Sequence, residues 1–506
     1  MKKNIVIDGN SLTIEEVISV AREGAEVLLA SASMGKIMRS RRAVQKAVER
    51  KETVYGVTTG FGAFKNVFID PEQAEELQIN LIRSHASGVG DAFPEDVCRA
   101  IILLRANSLA KGYSGVRPIL IVKLLELLNK GVYPYIPSQG SVGSSGDLAP
   151  LAHMALVFIG EGECFRKGKR VPTKKIFKEK NIAPFAPSFK EGLGLLNGTN
   201  VQTAVLALAL HDTRTLILSA DLISALSVEV LSGSKTPFSA NLSKVRGQIG
   251  QIACAENMRK ILKDSALIDA HRNCGRVQDA YSLRCIPQVH GAIRDTYDHV
   301  EKIVSRELNA ATDNPLIFPE DDGEILSGGN FHGEPIAIVS DILKIALCEL
   351  GNISERRTAK MLDPAQNEGL PAFLVSPESG GLMSGLMIPQ YSAASLVSEN
   401  KVLAHPASVD SIPTSANQED HVGMGTTAAR QTAMIAKNVA NILAIELLSN
   451  TQAYEYKKEV AALSGMTARL YEIVREKVPT ISKDRPFYKD IAILSDLILK
   501  GTLLSE

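Results

Sequence analysis

Three long stretches of the chain have apolar residues on nearly every side of a helix. They cover residues 201–231, 340–357 and 432–449, and each contains few charged positions. A helix that is apolar all round is usually buried in a protein core. We therefore predict a helical bundle with surplus apolar surface that neighbouring subunits cover.

The first third of the chain has a shorter and more mixed pattern. Residues 12–29 and 40–51 carry the apolar spacing of short amphipathic helices. Residues 94–129 have the pattern of two helices that break near Gly112 and Gly115, because glycine accepts the backbone angles at which helices end. The pattern predicts a mixed N-terminal part that precedes a mainly α-helical body.

Charge and cysteine content exclude several classes of protein. The 506 residues contain 56 basic and 56 acidic side chains, whereas a nucleic-acid-binding protein usually has a basic face. The six cysteines lack C-x-x-C spacing, and a chain of this length does not need disulfides. No window of about eighteen residues is apolar without interruption. We therefore expect a cytoplasmic protein that binds neither nucleic acid nor membrane.

Polar, glycine-rich loops interrupt the helical pattern and carry the candidate chemistry. Such loops often serve only as turns. They read VYGVTTGFG (54–62), GSVGSSGDL (140–148), LLNGTN (195–200), QDAYSLRC (278–285), GGNFHGEP (328–335) and TSANQEDHVGMG (414–425). Neither H-E-x-x-H nor a paired C-x-x-C motif is present, so no metal site is predicted. The glycines of GLGLLNG (192–198) miss the dinucleotide-binding spacing and follow no clear strand, so no nucleotide is expected.

The tripeptide Ser144-Ser145-Gly146 allows the chain to make an electrophile from itself. If a tight turn brings the Gly146 nitrogen onto the Ser144 carbonyl carbon, a five-membered ring closes. Loss of water from Ser145 then leaves an exocyclic methylidene group. Glycine is needed at the attacking position because a Cβ would crowd the approach and because the turn requires unusual backbone angles.

Together, the six loop motifs resemble those of the aromatic amino acid ammonia-lyases. They follow the family's order from about residue 50 to about residue 430. The resemblance implies a mainly α fold, with a mixed N-terminal part and a long central bundle, as in fumarase and aspartase. It implies an N-terminal domain of residues 1–197, which carries the catalytic loops, and a helical bundle of residues 198–506. It also implies a homotetramer whose active sites use residues from more than one subunit.

The resemblance assigns the catalytic roles. Ser144, Ser145 and Gly146 would form a 4-methylidene-imidazol-5-one prosthetic group autocatalytically, and Asp147 would support the cyclisation. Tyr55 matches the family's catalytic tyrosine, the base that removes a proton from the substrate β-carbon. Since an ordinary phenol titrates near pH 10, we expect its surroundings to favour the phenolate.

Further matches surround the substrate. Tyr281 and Arg284 are three residues apart and would share one face of a helical turn. Tyr281 is expected to be catalytic, and Arg284 matches the clamp for the substrate carboxylate, a task suited to a planar bidentate donor. The resemblance also implies contacts with the prosthetic group or the substrate for three further residues: Asn197, Gln278 and Phe331.

His85 and Glu419 indicate which amino acid is the substrate. An imidazole ring has two nitrogens and needs polar partners at the end of the pocket that is far from the carboxylate clamp. A histidine and a glutamate can supply them, whereas family members that act on phenyl rings typically carry glutamine in place of Glu419. The resemblance therefore implies elimination of ammonia from L-histidine, with urocanate as the product, in histidine degradation.

Two alternatives share most of these residues. One is an ammonia-lyase or aminomutase that acts on tyrosine or phenylalanine, and the other is an inactive structural homologue. Three positions depart from the family pattern: Ser144 stands where alanine is commonest, Met383 where asparagine is frequent, and Ala280 where proline is frequent. The first bears on formation of the prosthetic group, and the other two bear on the shape of the pocket.

Overall fold

The protein is mainly α-helical, which confirms the predicted fold class. The computed structural model describes residues 4–62, 65–271, 275, 277–320 and 323–504. Its helices are α1 (Ile14–Ala21), α2 (Ser31–Glu49), α3 (Ala74–His85), α4 (Glu95–Ala110), α5 (Pro118–Asn129), α6 (Leu148–Phe158), α7 (Thr173–Lys180), α8 (Glu191–Leu196), α9 (Asn200–Val230), α10 (Ala240–Arg246), α11 (Ile249–Ile261), α12 (Ala266–Asp269), α13 (Tyr281–Arg284), α14 (Ile286–Glu307), α15 (Glu334–Leu362), α16 (Met387–Leu403), α17 (Gly425–Glu455), α18 (Gly465–Lys477) and α19 (Tyr488–Leu499).

Short strands pair into two-stranded sheets. The first pair is parallel and the other three are antiparallel. The pairs are β1 (Ile5–Ile7) with β2 (Val27–Leu29), β3 (Val89–Ala92) with β4 (Pro137–Gln139), β5 (Glu163–Arg166) with β6 (Lys169–Pro172), and β7 (Leu316–Phe318) with β8 (Glu324–Leu326).

The helix predicted over residues 12–29 is wrong in its second half. Helix α1 has a capping box between Thr13 and Glu16 and ends before Gly24, whose φ of +71° does not continue a helix. The chain then forms β2, which pairs with β1. Three residues are too few for the alternation of a strand to stand out against a helical pattern, which explains the error.

The break predicted between two helices in residues 94–129 is confirmed. The helices are α4 and α5, and Gly112 and Gly115 lie between them with φ of +83° and +68°. Helix α2 covers most of residues 40–51 but begins at Ser31, earlier than the pattern indicated.

The chain packs as two compact units, each built from separate segments. The first comprises Met1–His211, Glu301–Asp341 and Pro406–Arg430, and the second comprises Asp212–Val300, Ile342–His405 and Gln431–Glu506. Two later segments therefore join the N-terminal residues in the first unit. The division into residues 1–197 and 198–506 stays a prediction, because a compact unit need not be a segment that folds independently.

In the first unit, helices α3, α6 and α8 form one packed group. Helix α3 ends at His85, α6 begins directly after Asp147, and α8 ends directly before Asn197. The packing of these helices therefore brings the end of α3 close to two of the motif loops, 140–148 and 195–200.

In the second unit, a buried polar network joins long helices. Glu446 of α17 accepts hydrogen bonds from Arg357 of α15 at 2.9 Å and from Ser227 of α9 at 2.6 Å. All three side chains are fully buried. Because a charge without a partner is costly in the protein interior, this pairing fixes how the helices pack.

The burial predicted for residues 201–231 is confirmed. The stretches Glu191–Val230 and Gly425–Glu455 are long and apolar enough to cross a membrane, but their apolar windows are 100% and 72% buried inside the protein. Such burial is typical of core helices.

Candidate active site

The shape of the loop between β4 and α6 depends on glycine. Gly143 and Gly146 have φ of +76° and +69°, in the left-handed region that favours glycine. A Cβ atom at Gly146 would lie 2.2 Å from the backbone nitrogen of Gly198 and 2.4 Å from its carbonyl oxygen. No larger residue fits at Gly146 without movement of the backbone, which supports the predicted need for glycine there.

Asp147 joins this loop to the start of α9. Its Oδ2 accepts hydrogen bonds from the backbone N–H groups of Val201 and Gln202, each at 2.9 Å. Its Oδ1 accepts from the hydroxyls of Ser141 and Thr426. Burial raises the pKa of Asp147, and these hydrogen bonds act in the opposite direction. The carboxylate therefore fixes the end of the loop against a helix N-terminus.

Ser145 is held from two sides. Its hydroxyl donates to Oε1 of Glu419 at 2.7 Å, and its carbonyl oxygen accepts from Nδ2 of Asn197 at 2.7 Å. The other oxygen of Glu419 accepts from the hydroxyl of Thr414 at 2.9 Å. The half-buried Glu419 thus contacts Ser145 through one oxygen and Thr414 through the other.

The Ser144 hydroxyl is turned toward backbone groups. It donates to the carbonyl oxygen of Val142 at 3.3 Å and accepts from the N–H of Gly423 at 3.0 Å. Ser144 is 3% exposed. Because these partners hold its side chain, the hydroxyl that replaces the family's usual methyl group is accommodated without an unpaired polar atom.

Tyr55 lies beside Phe61 in the loop 54–62. The two rings pack edge to face, with their centroids 6.3 Å apart. The N–H of Gly62 donates a hydrogen bond to the Tyr55 hydroxyl oxygen at 3.2 Å. The Gly62 N–H is thus a hydrogen-bond donor directed at the oxygen that the predicted base would use.

An open cavity of about 1410 Å³ collects most of the predicted residues. All of its lining residues belong to the first unit. The predicted residues among them are Tyr55, His85, Ser144, Ser145, Asn197, Phe331 and Glu419.

His85 closes α3 at one side of this cavity. Its Nδ1 lies 3.0 Å from the hydroxyl of Ser84. Burial lowers the pKa of His85, and the carboxylate of Glu419 acts against this change. The imidazole of His85 and the side chain of Glu419 lie in the wall of the same cavity.

The predicted residues of the 278–285 loop belong to the second unit. They are not among the described residues that line the cavity. Tyr281 and Arg284 share a face of α13, as predicted, and the guanidinium lies 4.7 Å from the centroid of the tyrosine ring. Tyr281 is 71% exposed and Gln278 is exposed. Of the departures from the family pattern, Ala280 directly precedes α13 and Met383 is half-buried in the same unit.

Two histidines in the cavity wall were missed by the sequence analysis. The rings of His332 and His421 lie 5.5 Å apart, with Glu334 next to them. The available signal was their position inside GGNFHGEP and TSANQEDHVGMG. Sequence spacing does not reveal the cluster, because its members come from loops 89 residues apart.

Comparisons with known proteins cover nearly the whole chain. The model of the family described as "Aromatic amino acid lyase" matches residues 12–476. A histidine ammonia-lyase of Caldanaerobacter subterraneus is 52% identical over 501 residues, which are 99% of this chain and 97% of that protein.

Solved structures of related enzymes also match nearly the whole chain. Tyrosine aminomutase from Streptomyces globisporus has a TM-score of 0.95 and 40% identity over 99% of this chain and 98% of its own. Histidine ammonia-lyase from Trypanosoma cruzi has a TM-score of 0.91 and 40% identity, over 99% of this chain and 94% of its own. With the family model matched from residue 12 to residue 476, the chain belongs to the aromatic amino acid lyase family.

Proposed function

We propose that this protein is an ammonia-lyase for L-histidine and that it releases urocanate and ammonia. The assignment of histidine as the substrate is supported by one observation. His85 and Glu419 lie in the cavity wall that also contains Ser145. Both side chains are half-buried. An imidazole finds polar partners there, whereas a phenyl ring would cover these groups without replacing the water they lose, at a cost of about 1–3 kcal/mol for each group left without a partner.

The residues around Ser144, Ser145 and Gly146 fit a 4-methylidene-imidazol-5-one group. Only glycine fits where Gly146 meets Gly198, and the buried Asp147 fixes the end of the turn. When formed, the group supplies an electrophilic carbon that captures the substrate amine, which is otherwise a poor leaving group.

The other residues have separate tasks around the substrate. Tyr55 accepts the β-proton at its hydroxyl oxygen, which the N–H of Gly62 supports. Asn197 holds the carbonyl oxygen of Ser145, and Phe331 forms an apolar part of the cavity wall. Arg284 binds the substrate carboxylate with two parallel hydrogen bonds.

A homotetramer with shared active sites follows from the same proposal. Gln278, Tyr281 and Arg284 belong to the second unit, and the cavity is lined by the first. The exposed Tyr281 and Gln278 are available to a second copy of the chain. We assign Tyr281 and Arg284 to the catalytic site of a neighbouring subunit.

A cytoplasmic location fits the state of the cysteines. Those in the described part of the chain are free thiols: Cys98, Cys164, Cys254, Cys285 and Cys348. Cys274 lies outside the described residues. Free thiols are typical of reducing compartments.

A second candidate is a lyase or aminomutase for tyrosine. The observation in its favour is that the tyrosine aminomutase of S. globisporus shares the same 40% identity as the histidine ammonia-lyase of T. cruzi. The overall fold therefore does not discriminate between the two substrates. The discrimination must come from the residues that line the cavity.

The test compares L-histidine, L-tyrosine and L-phenylalanine as substrates of the purified protein, with the unsaturated products followed by absorbance. We expect histidine to give the highest kcat/KM. Glu419→Gln should lower this value roughly 10- to 150-fold, which corresponds to the loss of a hydrogen bond to a charged group.

The exposed Glu72→Gln serves as the control and should leave the rate unchanged. The intact mass of Glu419→Gln must be checked as well, because Glu419 also contacts Ser145. Faster turnover of tyrosine or phenylalanine by the parent protein would reject histidine as the substrate. Unchanged histidine turnover in Glu419→Gln would reject the role of Glu419 in binding the imidazole.

A further inference from the structure

Arg105 is a fully buried arginine whose closest partners are not acidic. It lies on α4, and burial lowers the pKa of its guanidinium to about 10. Asp313 is 4.0 Å away and pairs more closely with Lys190, at 2.8 Å. Nη2 of Arg105 has no hydrogen-bond partner among the described residues, whereas Nε and Nη1 do. Because buried charges are usually held by hydrogen bonds, the partners of Nε and Nη1 indicate what Arg105 does.

The guanidinium group binds the segment that joins α8 to α9. Its Nε donates to the carbonyl oxygen of Gly194 at 2.7 Å. Its Nη1 donates to the carbonyl oxygen of Asn197 at 3.0 Å and to Oδ1 of Asn200 at 2.9 Å. One planar group therefore fixes residues on both sides of Gly198.

Arg105 also contacts Gly198 itself. A Cβ atom at Gly198 would lie 2.2 Å from Nη1 of Arg105. A Cβ atom at Gly146 would lie 2.2 Å from the nitrogen of Gly198. The carbonyl oxygen of Gly198 accepts a hydrogen bond from the N–H of Asp147 at 2.8 Å. Gly198 is thus packed between Arg105 and the residue whose nitrogen must close the ring.

We propose that Arg105 is a positioning residue for formation of the prosthetic group. It holds Gly198 and Asn197 against the turn, so that the Gly146 nitrogen is kept close to the Ser144 carbonyl carbon. This inference rests on the prosthetic group assigned under the proposed function, and it adds a residue that does not touch the reacting atoms.

Formation of the prosthetic group needs only atoms of residues 144–146 and releases two water molecules. The Gly146 nitrogen forms a bond to the Ser144 carbonyl carbon. The Ser144 carbonyl oxygen leaves as water with one hydrogen from the Gly146 nitrogen and one from the Ser145 nitrogen. The Ser145 hydroxyl leaves as a second water with the hydrogen of the Ser145 α-carbon. No external oxidant or reductant is required.

Arg41 provides a matched control. It is also a buried arginine of the first unit, and it also donates to backbone carbonyl groups, those of Gly115 and Phe189. Its third partner is the hydroxyl of Ser188. These partners are outside the segment that contacts Gly146, so Arg41 supports the core without supporting the turn.

The experiment compares Arg105→Lys, Arg41→Lys and the parent protein by intact mass under denaturing conditions, at intervals after synthesis. The parent and Arg41→Lys should both lack two water molecules. Lysine keeps the charge and loses the planar group with its several donors. Since a displacement of about 1 Å costs about 100-fold in the rate of a positioned reaction, Arg105→Lys should lose the two waters about 100-fold more slowly. Melting temperature and size-exclusion volume establish that each variant is folded.

Asn200→Ala keeps Arg105 in place and removes one of its acceptors, so it tests the same idea if Arg105→Lys does not fold. It should slow the loss of water to a smaller extent. The inference is overturned if Arg105→Lys and Asn200→Ala both lose two waters as fast as the parent, or if Arg41→Lys is slowed equally. A parent protein with the full encoded mass would instead overturn the prosthetic group itself.

Discussion

Single residues in this cavity are defined by what they contact. A glutamate in a polar loop usually faces water, but Glu419 accepts a hydrogen bond from Ser145 and a second from Thr414. Sequence motifs indicated that Glu419 matters, and the structure adds the contact through which it acts. Arg105 could not be found in this way, because its partners lie 89 to 95 residues away along the chain.

The titration of His85 tests the electrostatics of the cavity. Because burial lowers its pKa, the imidazole should titrate below 6.5, the ordinary value for histidine. The unfolded chain binds this proton more readily, so the contribution of His85 to stability is complete above about pH 6.5 and is lost as the pH falls.

Glu419→Gln should lower the pKa of His85 further, since the carboxylate raises it. The measurement is NMR of protein labelled with ¹³C at histidine Cε1, with the His85→Gln variant to assign the signal. A midpoint at or above 6.5 in the parent, or a rise in Glu419→Gln, would contradict the proposed environment.

At the scale of elements, periodicity predicts long helices and misses short strands. The patterns over residues 94–129 and 201–231 yielded α4, α5 and α9 because many turns repeat the same spacing. Strand β2 has three residues and depends on β1, which lies more than twenty positions earlier. The packing of α3, α6 and α8 was equally invisible, because their facing residues are far apart in sequence.

The start of α9 should depend strongly on Asp147. Asp147→Ala removes the acceptor for two backbone N–H groups and two hydroxyls in a buried site. Each buried donor left without a partner costs about 1–3 kcal/mol, so we expect the melting temperature to fall by several degrees or more.

The matched control is Asp8→Ala. Asp8 also accepts from two backbone N–H groups and a hydroxyl, but in an exposed turn where water can replace it. Its substitution should change stability by about 0.5 kcal/mol or less. Equal losses in the two variants, measured by thermal unfolding at one protein concentration, would show that Asp147 does not anchor α9.

At the scale of the whole molecule, the predicted catalytic residues are divided between the two units. Tyr55 and the turn at residues 144–146 belong to the first unit, and Tyr281 and Arg284 belong to the second. The sequence motifs identified both sets, but sequence alone does not state whether one chain supplies both to a single site. We propose that each active site takes Tyr55 from one chain and Arg284 from another.

Hybrid assemblies test this division of labour. Tyr55→Phe removes the proposed base, and Arg284→Gln removes the proposed carboxylate clamp, so each variant alone should be nearly inactive. If a site takes Tyr55 from one chain and Arg284 from another, hybrids made by co-expression contain intact sites. Random assortment of equal amounts leaves about a quarter of the sites intact, so the mixture should recover about a quarter of the parent activity. If one chain supplies both residues, every site in the mixture carries one substitution and activity stays at the level of the single variants. Separately expressed variants mixed after assembly are the control, and they should remain inactive as long as subunits do not exchange.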